Sequence, residues 1–173
     1  VTPDVFSDAG RVEAVRMAII FYLFAYTVIN TVTFGIVAYM GRAGEGAIAS
    51  YRGFAHRHPG LAFGMALALI SLMGLGIPAT VGFWGKYYIF KEAMQAQQYA
   101  VAIIGMITSA ISAYYYLQVI VAMYMKEEDP SLPVAGAGIE RAPGYTLVIG
   151  LTTGMIFLFG VIPPLFFALS RLN

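Results

Sequence analysis

The chain has 173 residues, 60% of them hydrophobic and 11% charged, with a formal net charge of +1. A soluble domain carries about 25% charged residues; here the few charges cluster between long apolar runs, the composition of a chain embedded in a bilayer. The balanced charge and lack of an extended basic patch exclude nucleic-acid binding, and the absence of cysteine excludes disulfides, iron–sulfur clusters and thiolate metal sites within the chain.

Residues 1–13 are a polar lead-in holding Asp4, Asp8, Arg11 and Glu13. Val1-Thr2-Pro3-Asp4 has no basic n-region or cleavage site, so the chain is expected to be part of a longer protein, lacking its N-terminal portion. A first apolar stretch over 14–40 is long enough for a spanning helix. It stops at Gly41-Arg42-Ala43-Gly44-Glu45-Gly46, which lacks the Gly-Lys-Ser/Thr ending of a phosphate loop. A polar connection over 41–58 follows. Its His56 and His58 flank Arg57 and, two residues apart, would fall on different faces of a helix, so they are read as part of a solvated loop rather than a metal pair.

Pro59 opens a second stretch at a position a helix tolerates, but Gly74, Gly76, Pro78, Gly82 and Gly85 interrupt it. Four glycines and a proline within twelve residues do not make a helix interior. The element over 59–96 is therefore expected to be a discontinuous helix broken near 74–82, in preference to a span followed by a partial helix. A third helix is expected over 99–125 and, after a Pro-, Gly- and acid-rich connection at 126–144, a fourth over 145–169. The fold class is all-α: an integral membrane helix bundle of about four transmembrane elements. Arg42, Arg52, Arg57, Lys126 and Arg141 would share one side, against Arg11, Arg16, Lys91 and Arg171 on the other. That small surplus places the two long loops in the cytoplasm.

Lys86 is the candidate catalytic residue, in the sense of carrying a proton. It follows the Gly/Pro break, with no acid within five residues, and an ammonium in hydrocarbon costs several kcal/mol, so it must face protein, water or an opposite charge. Desolvation favours an amine's neutral form, which lets a buried lysine take up and release a proton near neutral pH. The plainer reading is a lysine that snorkels or ties down a helix end. Unwound backbone inside a membrane lines hydrated cavities or finds protein partners and marks ion sites in transporters, or else is a packing kink. Thr108, Ser112 and Tyr115 or Tyr116 share one face of the third element, with Ser109 beside them; Tyr22, Tyr26, Asn30 and Thr33 share a face of the first. Such stripes serve either as a proton path or as interhelical glue worth about 0.6 kcal/mol per group. Trp84 stands beside the break, deeper than an aromatic belt would put it.

The runs His58-Pro59-Gly60-Leu61-Ala62, Gly74-Leu75-Gly76-Ile77-Pro78-Ala79-Thr80-Val81-Gly82-Phe83-Trp84-Gly85-Lys86 and Ser109-Ala110-Ile111-Ser112-Ala113-Tyr114-Tyr115-Tyr116 together resemble the C-terminal part of the subunit N family of NADH-quinone oxidoreductase (respiratory complex I). The glycine, proline and lysine block is common to the antiporter-like subunits; the triple tyrosine points to subunit N. The resemblance implies that the chain corresponds to the last four of about fourteen helices. It makes 59–96 the family's second discontinuous helix and Lys86 the lysine of the hydrophilic axis. It further implies proton translocation coupled to quinone reduction in other subunits. NADH, flavin, iron–sulfur clusters and quinone would be bound by those partners, and the chain itself would hold no cofactor, metal or redox chemistry. Neighbouring antiporter-like subunits and lipid would be its partners, in a bacterial inner membrane in preference to an organelle's. One proline in Gly76-Ile77-Pro78-Ala79, where the family often has two, is a departure that leaves Lys86 untouched. Two alternatives stay open: a subunit of a cation/proton antiporter or membrane-bound hydrogenase, and a structural helix bundle.

Overall fold

The structure is a computed structural model that describes residues 8–40, 48–74, 77–127 and 143–170. Among these residues all regular structure is helical: α1 (Asp8–Met40), a 3-10 turn (Ile48–Tyr51), α2 (Phe54–Arg57), α3 (Pro59–Met73), α4 (Val81–Gln95), α5 (Tyr99–Met125), α6 (Pro143–Val161) and α7 (Pro163–Ser170). The 33 residues of α1 and 27 of α5 measure roughly 50 and 40 Å, enough to cross a hydrocarbon core about 30 Å thick. Both are also apolar enough to do so. α3 and α4, 15 residues each, reach only about 22 Å and cannot cross singly.

α1 packs against α3, α4 and α6. Phe21, Val32, Ile36, Ala62, Ala68, Val81 and Ile156 are fully buried where these helices meet. α3 is apolar on every side, as a helix surrounded by protein should be, and most of its residues are buried. α5 packs on α3, α4 and the 3-10 turn and turns Val101, Ile104, Ile107 and Ile111 outward, an apolar surface suited to lipid or to further helices.

Three features differ from the sequence expectation. α1 starts at Asp8 rather than 14; its polar first turns are held in part by an Arg16–Glu13 ion pair at 2.8 Å. The described part of the polar connection is anchored rather than freely solvated: Phe54 is completely buried, and Gly53, at φ 68°, supplies the left-handed turn that feeds it inward. The His58 ring lies against Phe54 and Tyr39. Finally, the helix expected over 145–169 is two helices parted at Ile162. Pro163 and Pro164 have no N–H to give to the carbonyls four residues back and cannot continue α6, whereas both fit the first turn of α7.

Candidate functional site: a lysine bridging a helix break

α3 ends at Gly74, whose φ of 62° is the left-handed conformation that closes helices and favours glycine. A side chain there would also overlap the Lys86 stem. Beyond residues 75–76, Ile77–Thr80 forms a turn closed by the Thr80 N–H donating to the Ile77 carbonyl at 3.2 Å, with Pro78 at the position where a fixed φ suits it. Buried Thr80 also donates its hydroxyl to that carbonyl, at 3.0 Å, and α4 begins at the next residue.

The break is therefore narrower than the sequence suggested. Gly74 and Pro78 belong to it, Gly76 lies outside the described residues, and Gly82 and Gly85 are helical members of α4. Their smallness serves packing. A Cβ on Gly82 would overlap the Ser71 carbonyl, while one on Gly85 would meet Ala25 and Tyr22 of α1 at an ordinary 3.5 Å.

Each side of the break caps the other. The Ser71 hydroxyl of α3 accepts from the Gly82 N–H at 3.0 Å, satisfying a donor that the first turn of α4 leaves open. In return, the Lys86 Nζ of α4 donates to the α3 carbonyls of Leu72 at 2.8 Å and Met73 at 3.0 Å. Its third bond goes to Ser109 Oγ of α5, at 3.1 Å. The three hydrogens of an ammonium thus meet three acceptors, all uncharged, and the cation sits at the negative end of the α3 dipole.

Trp84 secures the outer side. Its indole Nε1 donates to Pro78 O at 2.7 Å and to Gly160 O at 2.8 Å. Gly160 is the residue four before Pro164, so its carbonyl lacks a helical partner and Trp84 supplies one. A Cβ on Gly160 would overlap the Ala79 carbonyl, so the turn rests directly on the end of α6.

Lys86 faces a cleft of about 420 Å³ between α1, α3, α4 and α5. Tyr22 and Tyr26 line it from α1 and Thr108, Ser109, Ser112 and Tyr116 from α5. Ser109 lies in the middle third of α5, and Tyr22 and Tyr26 in the middle third of α1. The lysine is therefore level with the centres of the two long helices. No carboxylate lines the cleft among the described residues. The Thr108 and Ser112 hydroxyls donate to carbonyls of their own helix, Gly105 and Thr108, leaving their lone pairs free to accept.

Two expected path residues are not brought there. Asn30 does not line the cleft and donates its amide to the Tyr26 carbonyl at 2.8 Å. Tyr115 is 58% exposed and does not line the cleft, and Tyr116 takes the place there. Ser71 is the residue that sequence reasoning passed over. A serine in an otherwise apolar run just before a helix break was its available signal.

The chain that carries this broken helix and its lysine is an antiporter-like transmembrane protein by its family match. A family model described as NADH:quinone oxidoreductase/Mrp antiporter, transmembrane, matches residues 9–112, and the chain belongs to this family. It is 41% identical over 150 residues to NADH-quinone oxidoreductase subunit N of Trichlorobacter lovleyi, covering 82% of this chain and 30% of that protein. It is 43% identical over 126 residues to subunit N 1 of Sorangium cellulosum, covering 71% of this chain and 24% of the relative. Among solved structures, a chain of respiratory complex I from Thermus thermophilus with bound aureothin superposes with a TM-score of 0.69 at 28% identity, over 84% of this chain and 32% of that one. The chain thus spans less than a third of the length of these proteins.

Proposed function

We propose that this chain is the C-terminal transmembrane part of a subunit N and carries part of a proton path, with Lys86 as the group that takes up and releases the proton. The observation that carries this reading is the placement of the Lys86 amine: level with the helix centres, on three neutral acceptors, facing a largely apolar cleft whose polar groups are hydroxyls and phenols. A charge at such a site is costly enough to be functional by default. Tyr26, Thr108, Ser112 and Tyr116 continue the polar surface away from it. In this reading the membrane arm of NADH-quinone oxidoreductase is the assembly and other antiporter-like subunits are neighbours. Partner subunits bind NADH, flavin, iron–sulfur clusters and quinone, and the membrane is the inner membrane of a bacterium.

The test is Lys86→Ala in the assembled complex, with proton uptake into vesicles measured alongside quinone reduction. The reading expects assembly to persist and proton transport per quinone to fall; unchanged transport would overturn it. The family description also covers Mrp antiporters, and copurification of flavin and iron–sulfur subunits separates the two assemblies. The geometry favours one further reading, in which Lys86 only caps the end of α3; a substitution that keeps the charge separates that from proton carriage.

A further inference from the structure

We propose that Ser109 is the switching partner of Lys86: its hydroxyl accepts from the charged amine and donates to the neutral one, so Ser109 positions Lys86 in both protonation states. The inference rests on the reading of Lys86 as the proton-carrying group.

The three partners of Nζ differ in what they can do. Leu72 O and Met73 O are backbone carbonyls and only accept. A charged lysine has three hydrogens to place, and the two carbonyls and Ser109 Oγ take one each. A neutral lysine has two hydrogens and a lone pair, and that lone pair needs a donor. Of the three partners, only the Ser109 hydroxyl can supply one.

The arrangement described is the one that suits the charged form. Ser109 Oγ accepts from Nζ while donating to the Gly105 carbonyl at 2.8 Å. Rotation about Cβ–Oγ redirects this hydrogen to Nζ over the same 3.1 Å, with no displacement of heavy atoms. The rotation leaves little behind, because Gly105 O also accepts from the Thr108 hydroxyl at 3.0 Å.

The packing holds the pair in register. Ser109 is 8% exposed. Gly105, one helical turn earlier on α5, has the Phe90 ring of α4 against it, so close that a Cβ would meet the ring at 2.7 Å. The other titratable groups facing Lys86 are phenols: Tyr22 and Tyr26 from α1 and Tyr116 from α5. α3 and α6 contain no lysine, arginine or carboxylate. Among the described groups that hydrogen-bond to Nζ, Ser109 alone both gives and takes a hydrogen.

The experiment compares Ser109→Ala, Ser109→Thr and Lys86→Ala in the complete complex in membrane vesicles. Proton transport per quinone reduced is followed across pH. A hydrogen bond to a charged donor is about twice as strong as a neutral one, so removing the hydroxyl weakens the charged form more. Ser109→Ala is expected to keep quinone reduction, with the alkaline decline of proton transport setting in about one pH unit lower. Ser109→Thr, which keeps a hydroxyl, is expected to restore the original profile. A Ser109→Ala profile that matches the unsubstituted protein, or a lower rate with an undisplaced profile, would overturn the proposal while loss of transport in Lys86→Ala leaves the underlying reading intact. Undiminished transport in Lys86→Ala would overturn that reading itself. If Ser109→Ala does not assemble, Ser109→Cys decides: its thiol bonds weakly, so the displaced profile is again expected and an undisplaced one overturns the proposal.

Discussion

A lysine inside a membrane protein is usually understood through its countercharge, but here the amine rests on two carbonyls and a hydroxyl. Both the charged and the neutral form can be hydrogen-bonded there, whereas a salt bridge would hold the charge in place. Gly74 makes this possible twice over, by its left-handed φ and by leaving room for the lysine stem. Gly74→Ala should therefore cost about 1–2 kcal/mol in backbone strain alone and displace Lys86 as well. It should lower both the melting temperature of the purified complex and its proton transport. Gly85→Ala is the contrasting case. Gly85 is helical and has ordinary van der Waals space around its missing Cβ, and alanine is favoured over glycine in a helix by up to about 1 kcal/mol. Its melting temperature is expected to be unchanged or slightly raised; a drop as large as that of Gly74→Ala would show that Gly85 belongs to the break after all. Ser71→Ala leaves the Gly82 N–H buried without its acceptor, a loss of about 1–3 kcal/mol. Faster amide hydrogen exchange in the first turn of α4 would report it.

At the scale of elements, two interruptions lean on one another. The turn at 77–80 rests on Gly160, and Trp84 donates to a carbonyl on each side. Trp84→Phe keeps the aromatic volume but leaves the carbonyls of Pro78 and Gly160 without that donor, at about 1–3 kcal/mol. Hydrogen exchange should then quicken at both Thr80 and Ile162; an effect confined to one of them would mean that the two interruptions are independent. The first of them was legible in the sequence, because clustered glycines and a proline cannot sustain a helix. The second was equally legible in Pro163-Pro164, but the surrounding apolar run made it read as one span. Helical spacing left Tyr115 and Tyr116 undecided, since three and four residues beyond Ser112 both lie near its face, and the packing of α5 selects Tyr116. Ser71 stood out only as a lone serine in an apolar run: its partner is a backbone N–H eleven residues away, which that signal does not name.

For the molecule as a whole, composition indicated the membrane and the length of each apolar run indicated α1 and α5, because both follow from local sequence. What local sequence could not give is where Lys86 lies along the long helices, which depends on α4 packing beside the middle of α1 and α5. That placement suits a proton carrier, but a lysine that only ties down the end of α3 would sit in the same position. Lys86→Arg tests the distinction most directly. Arginine keeps a positive donor able to cap α3 but stays protonated at any working pH, so it should preserve the anchor and abolish the exchange of a proton. In vesicles containing the assembled complex, the account predicts that Lys86→Arg still reduces quinone but moves fewer protons per quinone than the unsubstituted protein. An unchanged ratio would contradict it and leave Lys86 as a structural cap.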